Sequence, residues 1–511
     1  MTSLNAPALL IGYGMRCAAR RTPDKIALSD LDGNHRSYKA LVDRIGRIGT
    51  AVRDGFHLAK GDRVALIAPN VIEYAECTLG LAEAGLAVVT LNPGSTAHEI
   101  RYILDHARAK LALCHDSVGD GVRAVTDVPV VTIGTELDAL VARAAPSGPW
   151  NDVRADDIFC ISYTSGTTGK PKGVMLSHRA RSYMFALGLA GSYGAHTPDT
   201  RALAISPFFN GGGLAHLLAP LYFGGSSVVA GRFEPERTRA ALATDISFAA
   251  FVPTQLTAML DLGPWPAMPR LDTLVTNSSA APHALKERLT ETIAPARLFD
   301  SYGSTECGMV AGVGPANMLE RPGTIGRPIP GAQVRLTDPA GADVAAGEIG
   351  EVACRSPWLF SGYLDDPAAT AAAVKDGWCL TGDLARFDDD GFLFAAGRSK
   401  QVIISGGQNV FPAEIENALA DHPAIREVAV VGVPHSYWGE AVTAAYSLKP
   451  NVAPPSGDDL KQFLKQRLSG YKVPKQFTEL PDLPKNATGK IQHSRVMDLL
   501  AARDGRAEKP S

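Results

Sequence analysis

The sequence of 511 residues is poor in cysteine and in long apolar runs. Its seven cysteines are scattered and never form a C-x-x-C pair, which favours reduced buried thiols in a cytoplasmic protein over a disulfide framework or a zinc site. No stretch approaches the roughly 20 apolar residues that a bilayer span needs, and the apolar segment 8–11 is too short for a signal sequence. The formal net charge of −3 argues against a general nucleic-acid or anionic-membrane surface. We therefore expect a cytoplasmic monomer or homodimer with no nucleic-acid partner and no membrane span.

The most informative segment is 163–174, which reads YTSGTTGKPKGV. Its glycines let backbone N–H groups approach a ligand, its hydroxyls supply short hydrogen bonds, and its two lysines supply charge. These properties suit a loop that wraps a polyphosphate. It is not the common P-loop, because Thr164 stands where that pattern needs glycine and Pro171 where it needs Ser or Thr. Composition alone leaves a flexible surface linker as the alternative.

Five further motifs follow in the chain: YGSTE at 302–306, TGD at 381–383, GRSK at 397–400, SGGQN at 405–409 and NATGK at 486–490. Together with 163–174, their order and spacing resemble the adenylate-forming superfamily, in the branch of AMP-dependent ligases and acyl-CoA synthetases. The resemblance covers almost the whole chain. It implies an acid–thiol ligase that uses ATP, Mg²⁺ and coenzyme A. Such an enzyme activates a carboxylic acid as acyl-AMP with release of pyrophosphate, then transfers the acyl group to the CoA thiol.

Alternating strand-like and helical segments predict the fold. Strands separated by helices indicate largely parallel sheets covered on both faces, and shorter strand-like pieces follow the Gly/Pro-rich segment 321–331. We therefore predict an α/β protein: a large N-terminal domain of parallel-rich sheets covered by helices plus a small β-subdomain, followed by a small mobile α+β C-terminal domain. The AMP-binding domain is placed at 1–397 and the lid domain at 398–511. The resemblance makes Lys400 the hinge, whereas the residues alone fit a solvated loop lysine.

The clearest predicted elements combine β-branched runs with amphipathic stretches. The strands are 63–68, 87–91, 111–114, 130–133, 226–230, 333–336, 350–354 and 427–433, and the helices are 71–84, 413–421 and 458–468.

The resemblance assigns the nucleotide site residue by residue. The phosphate loop would close over the β- and γ-phosphates through Thr164, Ser165, Gly166, Thr167, Thr168, Gly169, Lys170 and Lys172. The remaining ATP and AMP contacts would come from Ser279, Ala280, Ala281, Tyr302, Gly303, Ser304, Asp383 and Arg398. In this assignment the ring of Tyr302 lies against adenine, and Asp383 accepts both ribose hydroxyls.

Three residues have predicted catalytic roles. Lys490 would bridge the substrate carboxylate and the α-phosphate, Thr305 would hydrogen-bond the α-phosphate, and Glu306 would hold Mg²⁺, a cation that prefers oxygen ligands. Taken alone, Glu306 also fits a helix-start carboxylate, Asp383 a turn aspartate and Lys490 a solvated lysine. The context of Lys490 further resembles that of bacterial relatives switched off by lysine acylation, so a lysine acyltransferase is a predicted partner.

The second half-reaction requires a route for the thiol. Gly406 and Gly407 would give the pantetheine arm a path along the backbone. Trp438, Tyr471 and Lys475 match positions that contact CoA in some relatives. Rotation of the lid would exchange the lysine loop for this glycine loop.

The acid pocket is expected around 206–213, SPFFNGGG, with a lining of Phe208, Phe209, Asn210, Gly211 and Phe251. The phenylalanines fit a plain core equally well. Asn210 departs from the histidine of many acyl- and aryl-CoA ligases, and the glycines after it suggest an open pocket floor. No acidic residue occurs in 205–216, where amino-acid-activating relatives have aspartate, which favours a hydrophobic aryl or medium-chain fatty acid. An enzyme that loads carrier-protein phosphopantetheine and a non-catalytic nucleotide sensor remain alternatives.

Overall fold

The computed structural model describes residues 9–164, 171–405, 408–435, 437–486 and 489–507. The α-helices in this part of the chain are α1 Tyr13–Arg21, α2 Tyr38–Arg53, α3 Ile72–Glu83, α4 Ala97–Ala107, α5 Asp116–Arg123, α6 Thr135–Arg143, α7 His178–Tyr183, α8 Ala190–Tyr193, α9 Gly211–Tyr222, α10 Pro235–Leu242, α11 Pro253–Asp261, α12 His283–Ile293, α13 Pro315–Met318, α14 Pro367–Ala373, α15 Pro412–Ala420, α16 Gly457–Lys465 and α17 His493–Ala507. A π-helical turn, Met184–Leu189, joins α7 to α8, and single 3₁₀ turns lie at Ser399–Gln401 and Gly470–Lys472.

The strands are β1 Ile26–Asp30, β2 His35–Ser37, β3 Arg63–Ile67, β4 Ala87–Leu91, β5 Leu111–His115, β6 Val130–Ile133, β7 Ile158–Thr164, β8 Lys172–Ser177, β9 Arg201–Ala204, β10 Ser226–Val229, β11 Phe248–Phe251, β12 Thr273–Asn277, β13 Arg297–Ser304, β14 Gly308–Val313, β15 Thr324–Pro328, β16 Gln333–Thr337, β17 Gly350–Arg355, β18 Val374–Lys375, β19 Trp378–Phe387, β20 Leu393–Arg398, β21 Ile403–Ser405, β22 Gln408–Val410, β23 Ile425–His435, β24 Gly439–Leu448 and β25 Gln476–Glu479.

A six-stranded sheet has the order β6-β5-β3-β4-β7-β8. Its strands run parallel except at the edge, where β7 and β8 form an antiparallel pair. These two strands flank the predicted phosphate loop, and Thr164 pairs with Lys172 at its base. The sheet edge therefore holds both ends of that loop at a fixed separation.

A 14-stranded sheet forms the rest of the N-terminal region. Its order is β16-β17-β19-β20-β15-β14-β13-β12-β11-β9-β10-β1-β2, with β18 paired to β19. The strands from β1 through β13 in this path run parallel, and those from β13 to β16 are antiparallel. The expected small β-subdomain corresponds to β15–β20, and it is hydrogen-bonded to the parallel part through β14 and β15.

Helix α3 shows how the two sheets share one core. It is buried on nearly every side, as expected for a helix with apolar residues all around its axis. Its two buried carboxylates, Glu76 and Glu83, are paired with arginines from neighbouring helices and strands, Glu76 with Arg36 and Arg44 and Glu83 with Arg16. Pairing of this kind offsets the cost of removing a carboxylate from water.

The C-terminal region has its own core. A five-stranded sheet with the order β22-β21-β24-β23, with β25 beside β24, packs against α15, α16 and α17. The predicted α/β class is thus confirmed. The boundary at 397/398 stays a prediction, although β20 ends at that point. Across the described ranges, no helix combines the length and apolar character needed to cross a bilayer.

Candidate active site

A cavity of about 1160 Å³ lies between the large sheet and the C-terminal region. Its wall is built from the chain after β9, the first turns of α9 and α11, the ends of β12 and β13, and the loop that leads to Lys490. Because the strand ends and helix N-termini converge here, backbone N–H groups and short side chains face one space. Such a convergence is where ligands bind in open α/β sheets.

Tyr302, Asp383 and Arg398 form one connected group beside this cavity. The Tyr302 hydroxyl donates to Asp383 Oδ2 at 2.7 Å and contacts Thr381 Oγ1 at 3.2 Å, and Arg398 Nε lies 2.9 Å from Asp383 Oδ1. Asp383 and Arg398 are cross-strand neighbours on β19 and β20, so sheet register brings them together. Burial, and then the charge of Asp383, raises the pKa of Tyr302 well above its ordinary value. The phenol therefore stays a hydrogen-bond donor at physiological pH.

Lys490 follows a C-terminal loop whose residues Asn486 and Gly489 line the cavity. Asn486 holds the turn that precedes it: Asn486 N–H donates to the Lys490 carbonyl, and Lys490 N–H donates to Asn486 Oδ1, both at 2.9 Å. Burial and then the nearby Arg398 lower the pKa of Lys490, while Asp383 and Glu416 act in the opposite direction. The lysine is thus close enough to the Asp383–Arg398 pair to respond to its charges.

Gly489 fixes how closely this loop approaches the N-terminal region. Its φ of +81° is in the left-handed range that favours glycine. A Cβ added here would lie 2.8 Å from Thr254 Oγ1, in the first turn of α11. A larger residue would therefore push the Lys490 loop away from the cavity.

One carboxylate oxygen of Glu306 accepts a hydrogen bond that orients the side chain. Tyr363 donates its hydroxyl to Glu306 Oε1 at 3.0 Å, and Lys172 Nζ lies 5.0 Å from the centre of the Tyr363 ring. The described residues contain no group of three or more His, Cys, Asp or Glu side chains able to hold a metal ion. A single oriented carboxylate fits a Mg²⁺ ion that takes most of its ligands from nucleotide phosphates and water.

The residues predicted for the acid pocket divide between the cavity and the core, and binding of an acid there stays a prediction. Phe209, Asn210 and Gly211 line the cavity. Phe208 and Phe251 do not: both are fully buried, and the Phe208 ring packs edge-on against Tyr74. The Phe208 ring belongs to the core cluster that includes Tyr74, and the Phe251 ring, at the end of β11, belongs to a second core cluster, so their assignment to the pocket is corrected.

The residues predicted to contact the nucleotide differ in whether they line the cavity. Tyr302 to Thr305 line the cavity, whereas Ser279, Ala280 and Ala281 follow the lining residues Asn277 and Ser278 without joining them. A Cβ added to Gly303 would clash with the Gly308 carbonyl, so this glycine permits the β13–β14 turn as well as any ligand approach. The loop residues Ser165, Gly166, Thr167, Thr168, Gly169 and Lys170 lie outside the described residues.

The predicted CoA contacts lie on the C-terminal region. Lys475 Nζ is 4.9 Å from the centre of the Trp438 ring, and Tyr471 is exposed on a 3₁₀ turn. Gly406 and Gly407 lie outside the described residues. The proposed hinge, Lys400, has its backbone in the short 3₁₀ turn that directly follows β20. A cation beside an aromatic ring could receive a phosphate or an adenine, and these assignments stay predictions.

Two family models match this chain, one over the N-terminal region and one over the C-terminal region. Residues 15–364 match the family described as AMP-binding enzyme, and residues 414–490 match the AMP-binding enzyme C-terminal domain. The chain belongs to the AMP-binding enzyme family.

Individual relatives agree over nearly the full length. The 2-succinylbenzoate–CoA ligase of Bacillus licheniformis is 32% identical over 484 residues, which cover 94% of this chain and 98% of the relative. The long-chain-fatty-acid–CoA ligase of Bacillus subtilis is 30% identical over 528 residues and covers 94% and 93%. ATP-bound MatB from Rhodopseudomonas palustris has a TM-score of 0.85 and 30% identity, with 95% and 99% covered. The predicted family and enzyme class, an AMP-forming acid–thiol ligase, are confirmed, as is ATP as nucleotide.

Two residues that line the cavity, His216 and Arg181, were not predicted from the sequence. His216 on α9 is buried, contacts Asn277 Nδ2 through Nε2 at 3.2 Å, and has its pKa lowered by burial to about 4, so it is neutral. Arg181 on α7 is buried in the cavity wall. In sequence Arg181 cannot be told from Arg179, two residues earlier, which is half-buried and paired with Asp156. The position of Arg181 shortly after the apolar strand β8 was the one feature of the sequence that could have indicated a buried cation.

Proposed function

We propose that this AMP-forming ligase activates an aryl or fatty carboxylic acid in the cavity and transfers the acyl group to coenzyme A. One observation carries the proposal: the loop that carries Lys490 lines, through Asn486 and Gly489, a cavity large enough for a nucleotide and an acid together, and the charges of Asp383 and Arg398 act on the pKa of Lys490. A protein that only bound nucleotide would have no use for this lysine. The aryl and fatty classes are suggested by relatives that act on 2-succinylbenzoate and on long-chain fatty acids.

The first step joins acid and nucleotide. A carboxylate oxygen attacks the α-phosphorus of ATP, the bond from that phosphorus to the bridging oxygen breaks, and pyrophosphate leaves with the electron pair. The reaction asks mainly for positioning and charge neutralisation. Asp383 and Tyr302 would hold the ribose and adenine, and Thr305 would bind the α-phosphate. Mg²⁺, held by Glu306 and the phosphates, would supply further charge neutralisation.

Lys490 would stabilise the charge that gathers between carboxylate and phosphate. Its backbone is fixed by Asn486, so the side chain enters the site from a preformed turn. A preorganised donor needs little reorganisation during the reaction, which is the basis of electrostatic catalysis. The partial burial of Lys490 strengthens this interaction because it excludes water.

The second step transfers the acyl group. The CoA sulfur attacks the acyl carbon, loses its proton to solvent or a nearby base, and AMP leaves. In the present arrangement the Lys490 loop forms part of the cavity wall. We therefore propose that the C-terminal region turns about Lys400, which withdraws this loop and presents Gly406 and Gly407.

Acid-dependent exchange of pyrophosphate into ATP tests the function. A panel of aryl and fatty acids should support exchange, and added CoA should convert the adenylate into a thioester. Absence of exchange with every acid would favour the nucleotide-sensor alternative. Acyl-AMP that CoA does not discharge, but a phosphopantetheinylated carrier protein does, would favour the carrier-protein alternative. Lys461→Ala, on the exposed face of α16, serves as a matched lysine control.

A further inference from the structure

Arg181 is a buried cation for which the described residues provide no carboxylate. Its side chain is 6% exposed, and within the described part of the chain its one hydrogen bond goes from Nη1 to Met184 Sδ at 3.0 Å. Burial lowers the pKa of Arg181 to about 10, so the guanidinium is charged at neutral pH. Arginine is almost never fully buried unless it is paired, because an unpaired charge in the interior is costly. The cavity that Arg181 lines leaves room for a ligand anion as that partner.

The guanidinium faces the cavity. Arg181 forms part of the cavity wall, and a Cβ added at Gly211 would lie 3.5 Å from both Arg181 Nη2 and Thr305 Cγ2. Any side chain longer than alanine at position 211 would occupy the space in front of the guanidinium. Glycine leaves that space open. Arg181 Nη2 and the Thr305 methyl are therefore separated by at most twice 3.5 Å. This places the cation near Thr305, which is predicted to bind the α-phosphate.

A second source of positive potential meets Arg181 at the same point. Gly211 is the first residue of α9, a helix of 12 residues whose N-cap, Asn210, makes no side-chain cap hydrogen bond. The first N–H groups of a helix have no acceptor inside it, and they carry partial positive charge. No Asp or Glu among the described residues lines the cavity. Beside Gly211 the described wall thus attracts an anion through both Arg181 and the start of α9, and no carboxylate lines the cavity there.

We propose that Arg181 and the first turn of α9 form a subsite for a second carboxylate on the substrate, so that the preferred substrate is a short dicarboxylic acid. The inference rests on the proposed function and narrows its substrate class. The guanidinium binds Met184 and lies near Gly211, which belongs to the predicted acid pocket, and this favours the acid over the nucleotide as the source of the anion. The carboxylate that reacts with ATP lies at Thr305 and Lys490, and the other carboxylate lies at Arg181.

The test compares matched acids with and without the second carboxylate: isophthalate with benzoate, and adipate with hexanoate. Pyrophosphate exchange gives kcat/KM for each acid in the wild type and in Arg181→Met. We expect the wild type to prefer the dicarboxylate of at least one pair. Arg181→Met should lower the ratio of dicarboxylate to monocarboxylate kcat/KM about 10- to 100-fold, the range for a hydrogen bond to a charged group. Arg181→Lys should restore part of the ratio.

Two further variants keep the test independent of folding. Gly211→Leu leaves Arg181 in place but covers it, and it should lower the same ratio. Arg179→Met removes a cation from the same helix that is paired outside the cavity, and it should leave the ratio unchanged. Loss of an unpaired buried charge should not lower the melting temperature of Arg181→Met.

Three results would overturn the subsite. The first is a wild type that prefers the monocarboxylate of both pairs. The second is an Arg181→Met variant in which both acids of each pair lose activity equally. The third is a rise in the KM for ATP with every acid, which would assign Arg181 to a phosphate. A wild type that exchanges pyrophosphate with no acid at all would instead remove the proposed function, and the subsite with it.

Discussion

The role of Lys490 gives the sharpest test of the mechanism. The variant Lys490→Ala removes the ammonium group but leaves the turn that carries it, because Asn486 binds the backbone N–H and carbonyl of residue 490. The lysine is partly buried and Arg398 further lowers its pKa. Its removal therefore eliminates a disfavoured charge and should change the free energy of unfolding by no more than about 0.5 kcal/mol, as for a substitution that breaks no buried pair.

Adenylation should suffer far more. One preorganised donor to a developing negative charge contributes about 2.7–4 kcal/mol, so the rate of acid-dependent pyrophosphate exchange should fall about 10²- to 10³-fold. Conversion of supplied acyl-AMP and CoA to the thioester should be largely retained, because Lys490 has no part in that step. Both rates can be measured on the same preparation, with Lys461→Ala as the control.

An equal loss of both half-reactions would refute the reasoning. It would mean that Lys490 supports a feature common to both steps, such as the closure of the cavity, and not the α-phosphate alone. A fall in melting temperature of more than a few degrees would point to a structural role for the ammonium group.

Four other predictions follow from the structure. Lys400→Pro should spare acyl-AMP formation and block thioester formation, measured as separate half-reactions, because proline fixes φ at the proposed hinge; retained thioester turnover would exclude Lys400 as the pivot. Gly489→Ala should reduce pyrophosphate exchange, since φ of +81° and the tight contact with α11 strain the loop by about 1 kcal/mol or more, and unchanged exchange would contradict that docking. Adenylation should be lost as the pH rises, because the ammonium form of Lys490 is present only below its pKa. Since that pKa is lowered, the loss should occur at a lower pH than for an exposed lysine, and a pH–rate profile of exchange checks this. Lys286→Ala leaves Asp300 buried without its ion-pair partner at 2.6 Å and should destabilise the N-terminal region by about 3–5 kcal/mol in denaturant unfolding, unlike Lys461→Ala.

Much of the fold followed from local patterns. The strands 87–91 and 130–133 have the predicted bounds, and the helix predicted at 71–84 spans Ile72–Glu83. The continuity of the large sheet was not predictable, because β15, which pairs with β14, lies within the Gly/Pro-rich segment 321–331 and has no strand period. Pairing between distant strands depends on tertiary packing, which a single sequence does not display.

The site divides in the same way. Tyr302, Asp383 and Lys490 lie in short motifs, and the resemblance placed them in one reaction. In the structure Tyr302 donates to Asp383, whose charge acts on the pKa of Lys490. Phe208 and Arg181 show the limit. Whether a ring or a guanidinium faces core, solvent or cavity depends on the rotation of its backbone segment, and neighbouring residues of the same type take opposite environments.

Asn486 and Gly489 form part of the cavity wall, and this has a consequence for how substrates enter and products leave. A cavity with one wall supplied by a separate region does not need a permanent entry tunnel. If the C-terminal region turns about Lys400 as proposed, reactants would enter while this wall is withdrawn, its return would seal them from bulk water, and its next withdrawal would release the products. The closed cavity would then set the size of acid that the protein accepts, and the open state would set the rate of entry.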